Sequence, residues 1–216
     1  SSYVSDEAYI ELSLSIPWNK YSLGIIEIQN VIETLDKSHF GMLSAKNAIY
    51  EHVALQTIAG KTFGEIICLL GPPGVGKTSV AKRLAIALGR KFVKISLSGV
   101  GDQSFLRGHK KSYLNAEPGK LVLELIKCDS MDPVVLLDEV DKMDPTRTSA
   151  LYALLEILDP EQNEGFVDHY LNFPLDLSRC LFICTANDLK DIPVPLQDRM
   201  TFINVEGYSF DDQIII

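Results

Sequence analysis

The sequence predicts an α/β fold, in which helices cover both faces of a five-stranded parallel sheet. Two observations lead to this prediction. Short, continuously apolar runs alternate along the chain with longer segments whose apolar residues recur at helical spacing. A glycine-rich stretch, residues 71–78, separates one apolar run from the helical segment that follows it. This alternation is typical of parallel strands joined by helical crossovers, so we expect one core.

Five apolar runs supply the predicted strands. They cover residues 65–70, 92–97, 134–137, 180–185 and 201–205. Residues 66–70 of the first run are apolar throughout, as expected of a strand that is buried on both faces. Helices are predicted between the strands over residues 80–88, 121–126 and 150–158. Gly89 gives the first of these helices the usual C-terminal signal.

Two further helices are predicted ahead of the first strand, over residues 25–35 and 44–53. They form a short helical entry module. We therefore divide the chain into an N-terminal segment, residues 1–60, and a large α/β domain, residues 61–216.

Residues 8–16 are ambiguous between a strand and a helix. Every second residue from Ile10 to Ile16 is apolar, and this period of two favours a strand. Pro17 should end the element, whichever it is, and the neighbouring Trp18 is interpreted as a packing anchor.

The composition is that of a globular protein. The chain has 216 residues, a hydrophobic fraction of 46% and a net charge of −9, and this acidic balance disfavours a general nucleic-acid surface. No run approaches the roughly 18 apolar residues of a membrane span, and the first residues do not resemble a secretion signal. The abrupt start and end are those expected of a piece of a longer protein.

Four cysteines are present, most of them within apolar runs. Cys68, Cys128, Cys180 and Cys184 show neither metal-ligand nor disulfide spacing, and we expect buried free thiols in a reducing, intracellular compartment.

The glycine-rich stretch has the pattern of a phosphate-binding P-loop. Its residues are Gly71, Pro72, Pro73, Gly74, Val75, Gly76, Lys77, Thr78 and Ser79. The glycines allow successive backbone N–H groups to point at one anion, and the following helix adds the positive end of its dipole. Lys77 would reach the β- and γ-phosphates of a nucleotide, and the Thr78 hydroxyl would ligate Mg²⁺. The alternative, a glycine-rich surface turn, does not account for the strand before it and the helix after it.

Two carboxylates, Asp138 and Glu139, directly follow the third predicted strand. Ligands of open α/β sheets bind at the carboxyl ends of the strands, and an acidic pair there is a Walker B pattern. Asp138 is assigned to the metal and Glu139 to the base that activates water, because phosphoryl transfer needs both roles. A solvated strand end is the alternative.

Two further polar residues accompany the last two strands. Asn187 follows the fourth strand and is a candidate for orienting the attacking water, although asparagine also begins turns. Arg199 precedes the fifth strand. It could form a surface ion pair with an aspartate, or it could be an arginine supplied across a subunit interface, and the residue pattern does not decide between the two.

A long loop, residues 107–119, separates the second and third strands. It carries Tyr113 and Leu114 behind a basic cluster, and such a loop could grip a partner chain through an aromatic face and a small hydrophobe. In the alternative, Tyr113 caps the local core.

In this order, the P-loop, the acidic pair, the asparagine and the arginine resemble an AAA+ ATPase, and more narrowly the Lon protease family. The similarity spans nearly the whole chain. It extends to residues 16–20, 158–163, 168–171 and 195–200, whose sequences are IPWNK, LDPEQN, DHYL and PLQDRM. The sequence offers no physical reason for the form of residues 158–163, which serve as a family marker.

This resemblance implies an ATP- and Mg²⁺-dependent homohexameric unfoldase that translocates damaged or regulatory proteins into a serine-lysine peptidase chamber. Asn187 would be sensor 1, Arg199 the arginine finger for the neighbouring subunit, and Tyr113 and Leu114 the pore loop. His39, Phe40 and Gly41 would lie near the adenine of ATP or ADP.

The sequence departs from the family pattern in four places. The first three are Phe40 in place of tyrosine, Lys110 and Lys111 in place of paired arginines, and Asn115 in place of glycine. The fourth is a shorter loop at residues 144–148. A helical lid with sensor 2 and a peptidase domain are expected after Ile216, so this chain alone should neither cleave peptides nor hydrolyse ATP rapidly.

The resemblance leans towards mitochondrial members at residues 202–208 and towards peroxisomal members at residues 102–104. We expect the mitochondrial matrix, with the peroxisomal matrix and the bacterial cytoplasm as alternatives. Two other functions stay open: a motor or loader that acts on nucleic acid, and a nucleotide-bound scaffold that does not hydrolyse ATP.

Overall fold

The computed structural model describes residues 2–22, 28–38, 43–59 and 66–205. Its helices are α1 (Ser2–Ser15), α2 (Ile28–Ser38), α3 (Leu43–Ala59), α4 (Lys77–Ala87), α5 (Ser104–Arg107), α6 (Lys120–Cys128), α7 (Ser149–Leu158) and α8 (Val194–Gln197). Its strands are β1 (Ile66–Leu70), β2 (Phe92–Ser96), β3 (Val134–Asp138), β4 (Phe166–Val167), β5 (Pro174–Leu175), β6 (Leu181–Ala186) and β7 (Met200–Asn204). Short 3-10 helices cover Val140–Lys142, Asn163–Gly165 and Leu189–Asp191.

Five strands form one parallel sheet in the order β2-β3-β6-β1-β7. The predicted five-stranded parallel sheet is therefore confirmed, and its strands agree with the predicted ones to within about two residues at each end. β4 and β5 form a separate antiparallel pair that was not predicted. With two residues each, they are too short to show a periodic pattern.

The side chains of each central strand alternate between two apolar cores, one on each face of the sheet. In β1, Ile66 and Cys68 join the core that α6 and α7 cover, whereas Ile67 and Leu69 join the core that α2, α3 and α4 cover. Helices on both faces are thus confirmed. The two entry helices pack in the same core as α4, which begins at the P-loop.

The prediction of a strand at residues 8–16 is wrong, because residues 8–15 belong to α1 and Ile16 directly follows its end. The apolar residues that alternate in the sequence do not share one environment: Ile10 and Leu14 are exposed, whereas Leu12 packs on the core. Tyr9, Leu12 and Ile16 are the residues that contact the core, and their spacing is helical. The tyrosine, which the alternation left out, anchors α1 through a bond from its hydroxyl to Leu171 O (2.6 Å).

Trp18 packs as expected, with its ring centroid 5.7 Å from that of Phe173 and its indole N–H bonded to Ser13 O (3.0 Å). All four cysteines are free thiols, and three are buried while Cys128, at the end of α6, is half-buried. In the described ranges, no helix is both long enough and apolar enough to cross a membrane.

Candidate nucleotide-binding site

The glycine-rich turn lies at the carboxyl edge of the sheet, between the ends of β6 and β7. Gly71 follows β1, and its N–H donates to Ala186 O (3.2 Å) at the end of β6. A Cβ atom on Gly71 would lie 2.2 Å from Val205 O, just beyond β7, so only glycine fits there. Gly74 and Gly76 have φ angles of 84° and 95°, in the left-handed region that favours glycine.

α4 begins directly after this turn. Its N-cap residue, Gly76, offers no side-chain hydrogen bond, so the first N–H groups of the helix lack a side-chain cap. An uncapped helix N-terminus carries partial positive charge and suits an anion.

Lys77 is buried beneath the turn and spans it. Its ammonium group donates to Gly71 O, to Pro72 O (3.0 Å) and to Asn187 Oδ1 (2.8 Å). Burial lowers the pKa of Lys77, while the charges of Asp141 and Asp138 act in the opposite direction. The predicted P-loop lysine and the predicted sensor asparagine are therefore in direct contact, although 110 residues separate them.

Asp138 ends β3 at the same edge, and protein groups hold both its carboxylate oxygens. Oδ1 accepts a hydrogen bond from Thr185 Oγ1 (2.5 Å), and Oδ2 pairs with Lys94 Nζ (2.6 Å). Burial alone would raise the pKa of Asp138, but the bonds from Lys94 and Thr185 outweigh it and the pKa lies below its usual value. The carboxylate is therefore ionised and oriented.

Glu139 has an unusual backbone conformation, with φ at 62°. A non-glycine residue in the left-handed region carries about 1 kcal/mol or more of strain, and such residues cluster at functional sites. The Glu139 N–H donates to Thr185 Oγ1 (3.0 Å), which helps to hold this turn. The side chain of Glu139 forms an ion pair with Lys142.

Asp141 holds the backbone of Asn187. Its Oδ2 atom accepts a hydrogen bond from the Asn187 N–H (2.9 Å). Its other oxygen is buried and has no hydrogen-bond partner among the described residues. Asp141, Thr185 and Lys94 were not predicted as site residues, because their roles depend on strand register and on the turn after β3.

Arg199 is not part of this edge. It precedes β7, and its carbonyl accepts a hydrogen bond from Ile66 N (2.8 Å) at the start of β1. Because β1 and β7 are parallel, Arg199 lies at the amino edge of the sheet. At a rise of about 3.3 Å per residue, the five steps from Ile66 to Gly71 cover roughly 16 Å. The guanidinium instead contacts the end of α7, where it donates to Leu155 O (2.8 Å).

The loop at residues 107–119 presents its two apolar side chains to solvent. Tyr113 is 63% exposed and Leu114 is 94% exposed, so Tyr113 does not cap the core. Asn115 has a φ of 58°, a conformation that glycine adopts most easily and that asparagine tolerates.

Buried contacts hold the base of this loop. The Gly119 N–H donates to Asp168 Oδ2 (2.7 Å), and the His169 N–H donates to Arg107 O (2.6 Å). A Cβ atom on Gly119 would lie 2.0 Å from Leu106 O, so the two ends of the loop touch. Residues 168–171 thus fasten the loop to the body of the domain.

The predicted adenine-proximal residues His39, Phe40 and Gly41 lie outside the described residues. The remaining candidates fall into three places: the P-loop, Asp138, Glu139 and Asn187 at the carboxyl edge, Arg199 at the amino edge, and Tyr113 with Leu114 on the exposed loop.

The fold and this edge of the sheet define a P-loop nucleotide-binding domain. The chain belongs to the ATPase family associated with various cellular activities (AAA), whose model matches residues 67–207, more than half of the chain.

Lon proteases are among its relatives. The chain is 44% identical over 214 residues to Lon protease 2 of Myxococcus xanthus, covering 99% of this chain and 26% of that protein. It is 45% identical over 215 residues to the mitochondrial Lon protease homolog of Saccharomyces cerevisiae, covering 96% of this chain and 18% of that protein. It is 46% identical over 209 residues to the Lon protease of Clostridioides difficile, covering 96% and 27%. The chain thus matches the ATPase region of Lon proteases and spans about a quarter or less of their length.

Proposed function

We propose that this chain is the ATP-binding and ATP-hydrolysing core of a Lon-type ATP-dependent protease that unfolds and translocates protein substrates. The observation that carries the proposal is the 2.8 Å contact between Lys77 Nζ and Asn187 Oδ1 at the carboxyl edge, beside the uncapped end of α4. It joins the two groups that would meet the terminal phosphate of a nucleotide.

Nucleotide binding follows from the partners that Lys77 now has. Two of its acceptors are carbonyl oxygens of the turn itself, and phosphate oxygens would replace neutral acceptors by charged ones. The backbone N–H groups of residues 74–79, at the turn and at the start of α4, add further donors. Because Lys77 is already fixed by its contacts, little side-chain freedom remains to be lost on binding.

Thr78 and Asp138 are the residues that would hold Mg²⁺. A Mg²⁺ ion held by these residues would supply positive charge against the phosphoryl group that is transferred. In the part of the chain that the structure describes, no three His, Cys, Asp or Glu side chains cluster as a metal site. The other ligands would therefore be water and phosphate, as is usual for Mg²⁺. The Asp138 carboxylate is held for this role by Thr185 and Lys94.

Glu139 would accept the proton of the attacking water, and Asn187 would orient that water. Asp141 fixes the backbone of Asn187, and Thr185 fixes the backbone of Glu139. The ion pair between Glu139 and Lys142 must loosen when the carboxylate takes up a proton.

Arg199 would act on the nucleotide of a neighbouring subunit, in a homohexamer. Its position at the amino edge separates it from the P-loop of its own chain, and its 37% exposed side chain is accessible from outside the domain. An arginine finger stabilises charge in the transition state and accelerates hydrolysis by about 10³-fold or more.

Tyr113 and Leu114 would grip the translocated protein. Both side chains are exposed on a loop whose base is fixed, so the loop would move together with the domain. An aromatic face and a small hydrophobe contact many sequences, as a general unfoldase requires.

We propose the mitochondrial matrix as the compartment. Mitochondrial and bacterial relatives are equally similar to the chain, so fractionation of the source cells is the test.

A complementation experiment with the assembled full-length protein tests the proposed function. Lys77→Ala removes the P-loop lysine but keeps the finger, and Arg199→Ala does the reverse. Each variant alone should be nearly inactive as an ATPase. Mixed hexamers, verified by mass spectrometry, should regain ATP hydrolysis, because a finger from one subunit completes the site of another. Verified mixed hexamers without recovered hydrolysis would refute the action in trans.

A further inference from the structure

Arg199 is held in place by the residue that follows α7. Its Nη1 atom donates to Leu155 O (2.8 Å) and lies 3.2 Å from Asp159 Oδ2. Leu155 and Asp159 are one helical turn apart, so the guanidinium bridges the last turn of the helix.

Asp159 is itself fixed by the segment that follows. Its Oδ1 atom accepts a hydrogen bond from the Glu161 N–H (2.9 Å), and its Oδ2 atom accepts one from Gln162 Nε2 (2.6 Å). The N–H groups of Gln162 and Asn163 both donate to the Asp159 carbonyl (3.1 and 2.9 Å). The carboxylate is therefore the centre of the turn formed by residues 159–163.

The charge of Asp159 is maintained by the same contacts. Hydrogen bonding from the Glu161 N–H, against a smaller effect of burial, places the pKa of Asp159 below its usual value, and Gln162 and Arg199 lower it further. At neutral pH the contact between Asp159 and Arg199 is thus a charged one.

We propose that Asp159 is a positioning residue for the arginine finger: it holds Arg199 against the end of α7, so that the guanidinium is presented to the nucleotide of the neighbouring subunit. The inference rests on the proposed function, because it needs Arg199 to act in trans. An arginine side chain has many rotamers, and fixing it before the phosphate arrives reduces the freedom that is lost in the transition state. The turn at residues 159–163, which the sequence marks only by family resemblance, would thus serve to hold Asp159 in contact with Arg199.

The same turn of α7 also contacts the loop at residues 107–119, which carries Tyr113 and Leu114. Glu156 forms an ion pair with Arg107 at the base of that loop. The preceding residue, Leu155, accepts the hydrogen bond from Arg199 through its carbonyl oxygen. The finger and the loop are therefore supported by adjacent residues of one helix.

The test uses the assembled full-length protein and compares steady-state ATPase constants. Asp159→Asn removes the charge and keeps an oxygen that can accept from Glu161. We expect kcat to fall about tenfold, as for a displaced catalytic group. The KM for ATP should stay within about twofold, because the P-loop lies at the other edge of the sheet. Asp129→Asn is the matched control: Asp129 forms an exposed ion pair with Lys20 and should have wild-type constants.

The same substitution in an Arg199→Ala background separates positioning from general stability. If Asp159 acts through Arg199, Asp159→Asn should change kcat less than about twofold in that background. An equal loss in both backgrounds, or an unchanged kcat in the wild-type background, would overturn the proposal. A wild-type kcat for Arg199→Ala alone would instead contradict the proposed function.

A second variant covers the case in which Asp159→Asn does not fold. Gln162→Leu removes one hydrogen bond to the Asp159 carboxylate and leaves both Asp159 and Arg199 intact. We expect a smaller fall in kcat, about twofold to threefold, that again disappears in the Arg199→Ala background. A fall that persists in that background would count against Asp159 as the positioning residue.

Discussion

Replacing Asp168 should loosen the base of the exposed loop and destabilise the whole domain. This carboxylate is fully buried and accepts three backbone hydrogen bonds. Oδ2 accepts from Gly119 N (2.7 Å), and Oδ1 accepts from Tyr170 N (2.8 Å) and Leu171 N (3.1 Å). Asp168→Ala removes all three acceptors at once.

The expected loss of unfolding free energy is set by the N–H groups that lose their acceptor. Those of Gly119 and Leu171 are buried, and an unsatisfied buried donor costs about 1–3 kcal/mol. Burial raises the pKa of Asp168, which shows that holding the charge inside has a cost that the substitution recovers. We therefore expect a net loss of about 3 kcal/mol for Asp168→Ala. Asp168→Asn keeps one acceptor oxygen but places a donor opposite Gly119, and should lose about 1–3 kcal/mol.

Chemical denaturation, followed by circular dichroism and by the fluorescence of the single tryptophan, Trp18, measures both losses. Asp176→Ala is the matched control. Asp176 accepts the same kind of bond, from the N–H two residues later (2.8 Å), but on the surface, so it should lose about 0.5 kcal/mol or less. Equal losses of stability in the Asp168 and Asp176 variants would show that the buried bonds to Asp168 do not stabilise the domain.

Three further results are expected. Thr185→Val, which removes the hydroxyl that contacts Asp138 and Glu139, should cost about 1–3 kcal/mol in denaturation and weaken the Mg²⁺ dependence of nucleotide binding. A loss below the error of the measurement would contradict this. Tyr113→Ala in the full-length protein should lower kcat/KM for degradation of an unfolded substrate about tenfold, and an unchanged value would exclude a gripping role. Alkylation of the native chain should modify Cys128 first, as peptide mass mapping would reveal, because the other thiols are buried.

The parts of the site that are local in sequence could be predicted. The glycine-rich turn, the acidic pair and Asn187 each follow an apolar run directly, and the ends of parallel strands meet at one edge. The structure places Lys77 and Asn187 in contact there, as the order of motifs implies.

The supporting residues could not be predicted in this way. Lys94 pairs with Asp138 because β2 lies beside β3, and Thr185 reaches Asp138 because β6 lies on the other side. Strand order is set by long-range packing and not by any local pattern. The contact between Asp159 and Arg199 likewise joins the end of α7 to the start of β7, 40 residues later in the sequence.

The error at α1 has a different origin. Alternating apolar residues indicate a strand only if they share one buried face of a sheet. The alternation here included Ile10 and Leu14, whose side chains are exposed. Tyr9 lies outside the alternation, yet its ring and hydroxyl fix the helix. An apolar residue that is exposed and a half-buried tyrosine that contacts the core both make a binary pattern misleading here.

Calorimetry of the folded chain with Mg²⁺-ADP and Mg²⁺-ATP determines whether the P-loop binds a nucleotide. Lys77→Ala should bind about 10-fold to 100-fold more weakly than the wild type, because a charge-assisted bond to phosphate is lost. Lys82→Ala, on the exposed face of the same helix, should bind as the wild type does. Equal affinities for the wild type and a folded Lys77→Ala variant would exclude Lys77 as the residue that binds the phosphates.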